Sequence, residues 1–163
     1  MPTLQNHYTR VNHNLEFLSD ICKIKKDYSD WKVTVCFYVA VHIINYHLTK
    51  KLNEHFVKHK RVDELINPYK RLSPAKIDQI YYEAYKKLYN LSRRSRYLSN
   101  DGNDKNQEEA RITNEKHFRK SLNALDLLLD FFVNTLKEKI DPVELQTTNN
   151  LPNNLKYFKI INE

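Results

Sequence analysis

The chain has 163 residues and a net charge of +7, and its length fits one domain with a buried core. Its single glycine, Gly102, and its five prolines nearly exclude tight hairpin turns and phosphate-cradling loops, which favours helices joined by polar connections. No apolar run reaches the length of a membrane span and the first residues lack a secretory pattern, so we expect a cytoplasmic protein with reduced Cys22 and Cys36.

Apolar residues at three-to-four spacing predict a first helix over residues 3–24. Asp30 is a suitable N-cap for a second helix over residues 31–52. That helix has hardly any polar face, so we expect it to be the central and most buried one. A shorter helix is predicted over residues 58–66, because Pro68 stops it.

Two further helices are predicted in the second half of the chain. Ser73 and Pro74 give a cap followed by proline at the first helical position, and the helix they start reaches residue 99. Residues 100–106 are rich in Asn and Asp and predict a loop. The last long helix covers residues 107–139, with a regular stripe of core residues after its first turns.

These elements predict an all-α fold, an antiparallel four-helix bundle with one additional short helix. We expect residues 1–141 to form this single domain. Residues 142–163 are expected to form a C-terminal tail that is partly disordered or docked. Within the tail, residues 155–161 fit a strand, a short helix or a partner-binding segment.

The positive charge is concentrated in the helical body. Residues 101–109 have a net charge of −3 and residues 141–163 a net charge of −1, which leaves +11 on the remainder. A basic body suits nucleic acid, an acidic partner protein or an anionic membrane surface. A solvated lysine-rich surface without a ligand is the alternative.

Basic residues and tyrosines interleave along the chain. The basic residues cluster at 58–61, at 70–71, at 93–96, and in a fourth group formed by Arg111, Lys116, Arg119 and Lys120. The tyrosines near them are Tyr69, Tyr81, Tyr82, Tyr85, Tyr89 and Tyr97. Arginine binds phosphate bidentately and tyrosine stacks unpaired bases, so the mixture fits single-stranded RNA. Tyrosines that fill a core with their hydroxyls at its rim are the alternative.

Arg111 and His117 stand at the start of the last helix and are candidates for RNA phosphodiester chemistry. Cleavage through the 2′-hydroxyl of RNA needs a base, an acid and a cation for the phosphorane charge, and histidine and arginine supply these groups. Helical geometry places the two side chains on different faces, so a shared cleft requires the helix entrance or a second subunit. The spacing alone also fits an ordinary helix surface.

The other histidines give weaker signals. His55 and His59 are four residues apart, a spacing that can chelate a metal, but no third ligand is evident, so we expect no metal and no other cofactor. His42 lies inside the apolar central helix and is expected to be a hydrogen-bonded core residue. Its candidate partners on the neighbouring helix are Arg94, Arg96 and Tyr97.

Several segments together carry a family resemblance. They are DWKVTV at 30–35, FYVAVH at 37–42, HKR at 59–61, LYNLSRRSRY at 88–97 and RITNEKH at 111–117. With them the chain resembles the HEPN superfamily of small all-helical prokaryotic domains over most of its length. Many HEPN proteins carry an arginine, four to six residues and then a histidine on a late helix. The resemblance implies that Arg111 and His117 are the catalytic residues of a metal-independent ribonuclease site completed across a homodimer.

Active members usually have a polar residue directly after the arginine, where this chain has Ile112. A HEPN branch that is not defined by the nuclease motif also resembles the chain, and it implies a shared polar centre of His42, His59, Arg93, Arg96 and Tyr97. In the active version of the site, Arg94, Arg96, Lys116 and Arg119 would position the RNA backbone. The resemblance thus implies a protein of toxin or phage-defence type that binds and cleaves RNA, with an antitoxin or defence protein as partner and no membrane partner. The alternative is a non-catalytic module that binds a partner protein or a nucleotide.

Overall fold

Helices account for most of the described residues. The computed structural model describes residues 2–97, 104–147, 151–152 and 154–162. Its elements are α1 (Leu4–Cys22), α2 (Ser29–Leu52), α3 (His59–Ile66), α4 (Gln79–Tyr97), α5 (Asp104–Asp130), a π-helical turn (Phe131–Thr135), β1 (Val143–Thr147) and β2 (Phe158–Asn162). None of the described helices is both long and apolar enough to cross a bilayer. The chain is mostly helical, as expected, and it adds a small two-stranded sheet.

The first helix, α1, begins with a capping box. The backbone N–H of Asn6 donates to Thr3 Oγ1 over 3.2 Å, and the backbone N–H of Thr3 donates to Asn6 Oδ1 over 2.8 Å. These bonds satisfy two backbone groups that a helix start would otherwise leave without partners. Val11, Leu15 and Leu18 form the buried stripe of this helix, at the spacing that the sequence indicates.

The second helix, α2, is the central one, as predicted, and contacts α1, α4 and α5. Its fully buried apolar residues are Val33, Cys36, Val39, Ala40, Ile43, Ile44 and Leu48. The predicted N-cap is wrong, because the cap position is Tyr28 and Asp30 lies in the first turn. A carboxylate in the first turn still interacts favourably with the helix dipole. The helix ends at Leu52 and is capped by Asn53, whose φ of 54° is left-handed, a conformation that asparagine tolerates well.

Side-chain contacts fix the directions of the helices. His7, near the start of α1, meets His42 in the second half of α2, so these two helices are antiparallel. Ser95 near the end of α4 meets His117 near the start of α5, so α4 and α5 are also antiparallel. In contrast, α2 and α5 run in the same direction, because Phe118 lies beside the start of α2 and Phe131 lies beside its second half.

The start of α4 differs from the prediction. The Ser73-Pro74 pair does not cap the helix, because the Ser73 hydroxyl donates to the carbonyl of Glu64 over 3.0 Å. The backbone N–H of Ala75 donates to the carbonyl of Leu65 over 3.0 Å. Both bonds hold this segment against the end of α3, so α4 begins only at Gln79.

The last helix, α5, begins earlier and ends earlier than predicted. It starts at Asp104, so the first part of the predicted 100–106 loop lies outside the described residues and the rest is helical. At the other end, the π-helical turn closes the helix, and Lys137 adopts a left-handed φ of 66°. The Lys50 ammonium donates to the carbonyl of Leu136 over 2.9 Å, which caps the end of this turn.

The C-terminal segment packs on the helices through a parallel strand pair. Strand β1 pairs with β2 with Leu145 opposite Ile160, and the side chain of Leu145 is fully buried. The Asp126 carboxylate on α5 accepts the backbone N–H groups of Lys156 over 3.0 Å and Tyr157 over 2.9 Å. Because Phe158 is also buried, this segment contributes to the core. Residues 148–150 and 153, within a stretch expected to be poorly ordered, lie outside the described residues.

Candidate functional site

The candidate catalytic histidine, His117, lies half-buried between α4 and α5. Its Nδ1 is 3.2 Å from the Ser95 hydroxyl. Ser92 and Ser121 are buried in the neighbouring turns of the same two helices, and such small side chains allow a close approach. Burial lowers the pKa of His117, and the positive charges of Lys120 and Arg94 lower it further. The imidazole is therefore neutral near pH 7, which is the form that can accept a proton.

The second candidate, Arg111, is exposed on α5 and forms an ion pair with Glu115 one turn later. It precedes His117 by six positions, which corresponds to about 9 Å along the helix axis and about 120° around it. The structure therefore places the two side chains on different faces of α5, as helical geometry predicts. Within one subunit, α5 therefore does not direct the side chains of Arg111 and His117 at the same phosphate.

A cationic groove lies on α5, and its described lining does not include His117. It has a volume of about 420 Å³ and is lined by Lys116, Arg119, Lys120, Asn123, Leu151 and Pro152. Its described lining includes three positive charges and no carboxylate, so these charges favour the entry of an anion. The predicted binding residues Lys116 and Arg119 thus lie together in this groove. Lys120, whose positive charge acts on His117, lines the same groove.

The arginines of α4 divide between two surfaces. The positive charge of Arg94 acts on His117 and lowers the pKa of that residue. Arg93 lies over the ring of Tyr89, with its guanidinium carbon 5.6 Å from the ring centre. The positive charge of Arg96 adds to burial in lowering the pKa of His59.

An aromatic cluster connects α2, α3 and α4 next to these arginines. The ring of His59 lies 5.2 Å from that of Phe37 and 5.1 Å from that of Tyr89. Tyr38, which is 47% exposed, extends the cluster towards solvent from α2. The structure therefore brings together two predicted binding residues, His59 and Arg93, at the ring of Tyr89, and the positive charge of a third, Arg96, acts on His59. The side chain of Tyr97, the fourth residue predicted here, lies outside the described residues.

The prediction for His42 is wrong for Arg94 and Arg96. Its Nδ1 is 3.2 Å from His7 Nδ1, and among the described side chains it has no hydrogen bond to either arginine. The third predicted partner, Tyr97, has a side chain that lies outside the described residues. The Nε2 of His7 is in turn 3.2 Å from His55 Nδ1. We call these three residues the histidine row. The row lies about 15 Å along α2 from Lys32, the residue that packs over Phe118, so His42 is remote from His117.

Burial has a strong effect on the histidine row. It lowers the pKa of His7 to about 4, with smaller effects from the neighbouring imidazoles of His42 and His55. It also lowers the pKa of His42 to about 4, where the nearby positive charge of Arg10 contributes next. Both rings are therefore neutral at pH 7.

The sequence did not single out three residues that act on the candidate histidines. His7 and Ser95 contact His42 and His117, and the positive charge of Arg10 acts on His42. A helical signal for His7 was present, because His7 and Val11 are four residues apart and Val11 belongs to the predicted core stripe of α1. A similar signal existed for Ser95, which follows Ser92 by three residues on the face of α4 that turns towards α5. No local sequence signal indicates that His55, in the connection after α2, contacts His7 of the first helix.

Metal binding finds no support in the described parts of the chain, where no three or more His, Cys, Asp or Glu side chains are placed to share an ion. In the histidine row the two ring nitrogens of His7 face different neighbours, so the three rings do not converge on one point. His55 and His59, the pair at chelating spacing, also face different partners, since His59 stacks against Phe37 and Tyr89.

Comparison of the chain with protein-family models, with curated proteins and with solved structures found no match.

Proposed function

We propose that the protein is a HEPN-like antiparallel four-helix bundle with an additional short helix, and that it binds RNA and cleaves it without a metal. The alternating directions of α1, α2, α4 and α5 support the bundle, with α3 as the short addition. A cytoplasmic setting of toxin or phage-defence type, with an antitoxin or defence protein as partner, belongs to the same proposal.

The observation that carries this proposal is the environment of His117. A half-buried imidazole is held by Ser95, and its pKa is lowered by burial and by the positive charges of Lys120 and Arg94. Lys120 also lines the cationic groove, together with Lys116 and Arg119. In the proposed reaction His117 acts as general base or acid, and Arg111 stabilises the pentacoordinate phosphate. Arg94, Lys116 and Arg119 hold the RNA backbone next to it.

Because Arg111 and His117 leave α5 on different faces, we propose that the catalytic site forms across a homodimer. Each site then takes Arg111 from one subunit and His117 from the other. The aromatic cluster with His59, Arg93 and Arg96 gives a second surface for RNA, where bases stack and phosphates bind.

The first test is cleavage of a mixed RNA pool in EDTA by the wild type, His117→Ala and Arg111→Ala. We expect each substitution to reduce cleavage at least about 100-fold, the scale of a lost acid–base group. His13→Ala, at an exposed histidine of α1, is the matched control and should cleave as the wild type does. Cleavage that persists unchanged in both site variants would contradict the assignment.

Mixing the two inactive variants tests the homodimer. If each site combines residues of two subunits, about half of the dimers in an equal mixture are heterodimers, and each heterodimer contains one intact site of its two. About a quarter of the wild-type activity then returns. If each site lies within one subunit, subunit exchange restores no activity.

A non-catalytic binding module for a partner protein or a nucleotide is the second candidate. The ion pair between Arg111 and Glu115 favours it, because a guanidinium held by a carboxylate of its own helix is less available to a phosphate. This module binds RNA or its partner and shows no turnover. Equal binding of an oligonucleotide by the wild type and Arg111→Ala, without cleavage by either, would favour this candidate.

A further inference from the structure

Three large aromatic side chains are exposed on α1 and α2. Trp31, the only tryptophan of the chain, is 56% exposed, and Phe17 and Tyr38 are each 47% exposed. Single exposed apolar side chains are common on protein surfaces, whereas a contiguous group of them marks an interaction surface. The meaning of this exposure therefore depends on whether the three side chains lie together.

Helix geometry places the three rings on one face. Trp31 and Tyr38 are seven residues apart, so they lie about 20° apart around α2 and about 10.5 Å apart along it. The contact of His7 with His42 fixes the alignment of the antiparallel helices α1 and α2. Phe17 lies about 15 Å beyond His7 along α1. Trp31 lies about 16.5 Å before His42 along α2, so these two aromatic residues are level with each other.

Arg10 lies on the same face. It precedes Phe17 by seven positions, so the two residues share one stripe of α1, and it is exposed. Its positive charge acts on His42, which follows Tyr38 by four positions on the same side of α2. Arg10 is therefore level with Tyr38. We call these four residues, Arg10, Phe17, Trp31 and Tyr38, the exposed aromatic face.

The charge beside the exposed aromatic face is positive. Among described residues, Arg10 has no carboxylate partner, so its charge is available to an anion. On the other side of the face, the ring of Tyr38 lies 6.2 Å from that of Phe37. The ring of Phe37 lies 5.6 Å from that of Tyr89, over which Arg93 is placed. An arginine is therefore found on each side of Tyr38.

The carboxylates nearest in sequence do not face the rings. Asp30 directly precedes Trp31, so its side chain leaves α2 about 100° around the axis from the indole. The carboxylate of Asp27 accepts the backbone N–H of Ser29 over 2.9 Å and the hydroxyl of the same residue over 2.6 Å. The face thus combines flat apolar rings with uncompensated positive charge. This combination complements the bases and phosphates of a nucleic acid, whereas an apolar protein surface would leave Arg10 without a counter-charge.

We propose that the exposed aromatic face binds single-stranded RNA, with unpaired bases stacked on Trp31, Phe17 and Tyr38 and a phosphate held by Arg10. This inference rests on the proposed RNA function and defines its substrate class. In a duplex the bases stack on one another, so their faces are not available to protein rings, whereas an unpaired strand offers them.

The face reaches the end of the bundle that holds His117. The residue after Trp31 is Lys32, whose ammonium lies 5.7 Å from the centre of the Phe118 ring. Phe118 directly follows His117 in α5. The side chains of Trp31 and Lys32 leave α2 about 100° apart, so the face and His117 lie on different sides of this end. The face therefore binds the strand and takes no part in the chemistry, which predicts an effect on KM and not on kcat.

The test uses the fluorescence of Trp31, which reports on this face alone because the chain has no other tryptophan. The ligand is an unstructured RNA oligonucleotide whose 2′-hydroxyls are methylated, so that it is bound without being cleaved. We expect its binding to quench the emission of Trp31. Trp31→Ala and Tyr38→Ala should each weaken binding at least about 5-fold, measured by the anisotropy of a labelled oligonucleotide. Trp31→Phe keeps an aromatic ring and should recover most of the affinity.

Two controls separate stacking from general attraction to a basic surface. Leu72→Ala removes a side chain that is 90% exposed in the connection between α3 and α4, and it should bind as the wild type does. The oligonucleotide annealed to its complement should bind the wild type and Trp31→Ala with similar affinity, because it offers no free base faces. In cleavage of unmodified RNA, Trp31→Ala should raise KM at least about 5-fold and leave kcat nearly unchanged.

The outcomes separate this inference from the proposed function. If the oligonucleotide binds the wild type and both alanine variants equally and leaves the emission of Trp31 unchanged, the exposed aromatic face is not its site and the proposed function stands. If the oligonucleotide binds none of them at low salt, the proposed function is overturned as well. Emission of Trp31 that changes with protein concentration and not with RNA would identify a contact between copies of the chain, and it would also overturn the inference.

Discussion

Acidification should destabilise this protein through the buried ring of His7. Burial lowers the pKa of His7 from 6.5 to about 4, and only 2% of the residue is exposed. Between these two pKa values the unfolded chain binds a proton that the folded protein does not bind, so stability falls as the pH decreases. The contribution of His7 is fully present above pH 6.5 and is lost as the pH falls towards 4.

The size of the effect follows from the two pKa values. For His7 alone, the free energy of unfolding should be about 2 kcal/mol lower at pH 5 than at pH 7. Other histidines whose pKa is lowered add to the decrease in the wild type, and these are His42, His47, His59 and His117. The informative quantity is therefore the difference between the wild type and His7→Gln.

Urea unfolding at pH 7, 6 and 5 measures this difference. His7→Gln should be less stable than the wild type at pH 7, since its side chain fits the row less well, but its stability should decrease less on acidification. His13→Gln, on the exposed face of the same helix, is the control and should follow the wild type. Equal pH dependence in His7→Gln and the wild type would refute the reasoning.

Three further predictions concern the C-terminal segment and the cationic groove. Phe158→Ala should lower the free energy of unfolding by about 3–5 kcal/mol, measured in urea, whereas Lys159→Ala on the exposed side of the same strand should have little effect. Asp126→Ala should cost about 1–3 kcal/mol, because two backbone N–H groups lose their acceptor, and Asp126→Asn should recover part of this loss. The double charge reversal Lys116→Glu and Arg119→Glu should weaken binding of a fluorescent single-stranded oligonucleotide and flatten its dependence on salt concentration. Unchanged affinity at low salt would exclude this groove from the RNA path.

Local sequence signals predicted most of the helices, because a buried stripe at helical spacing depends on the residues of one segment alone. The burial of α2 and the stripe of α1 were predictable in this way. The start of α4 was not, because Ser73 bonds to carbonyls at the end of α3 and not to the helix that follows it. The pairing of β1 with β2 also depends on distant groups, since Asp126 on α5 holds the segment that leads into β2.

The candidate sites were predictable to a smaller degree. Lys116, Arg119 and His117 are neighbours along one helix, so their common surface follows from spacing. The contacts of His42 do not, because His7 and His55 come from segments 35 and 13 residues away, and only the packing of α1 on α2 brings them together. Sequence reasoning therefore recognised His42 as a residue that needs a partner and could not identify that partner.

The central position of α2 has a consequence for the order of folding. Since α1, α4 and α5 all pack on this helix, their apolar stripes can make many of their native contacts only after α2 has formed. We expect α2 to be structured in the transition state, so that Val39→Ala slows refolding in proportion to the stability it removes. The strand pair completes later and should affect mainly the rate of unfolding. The segment of β1 and β2 would then set the rate of unfolding, and therefore the lifetime of the native state. The central helix α2 would set the rate of folding.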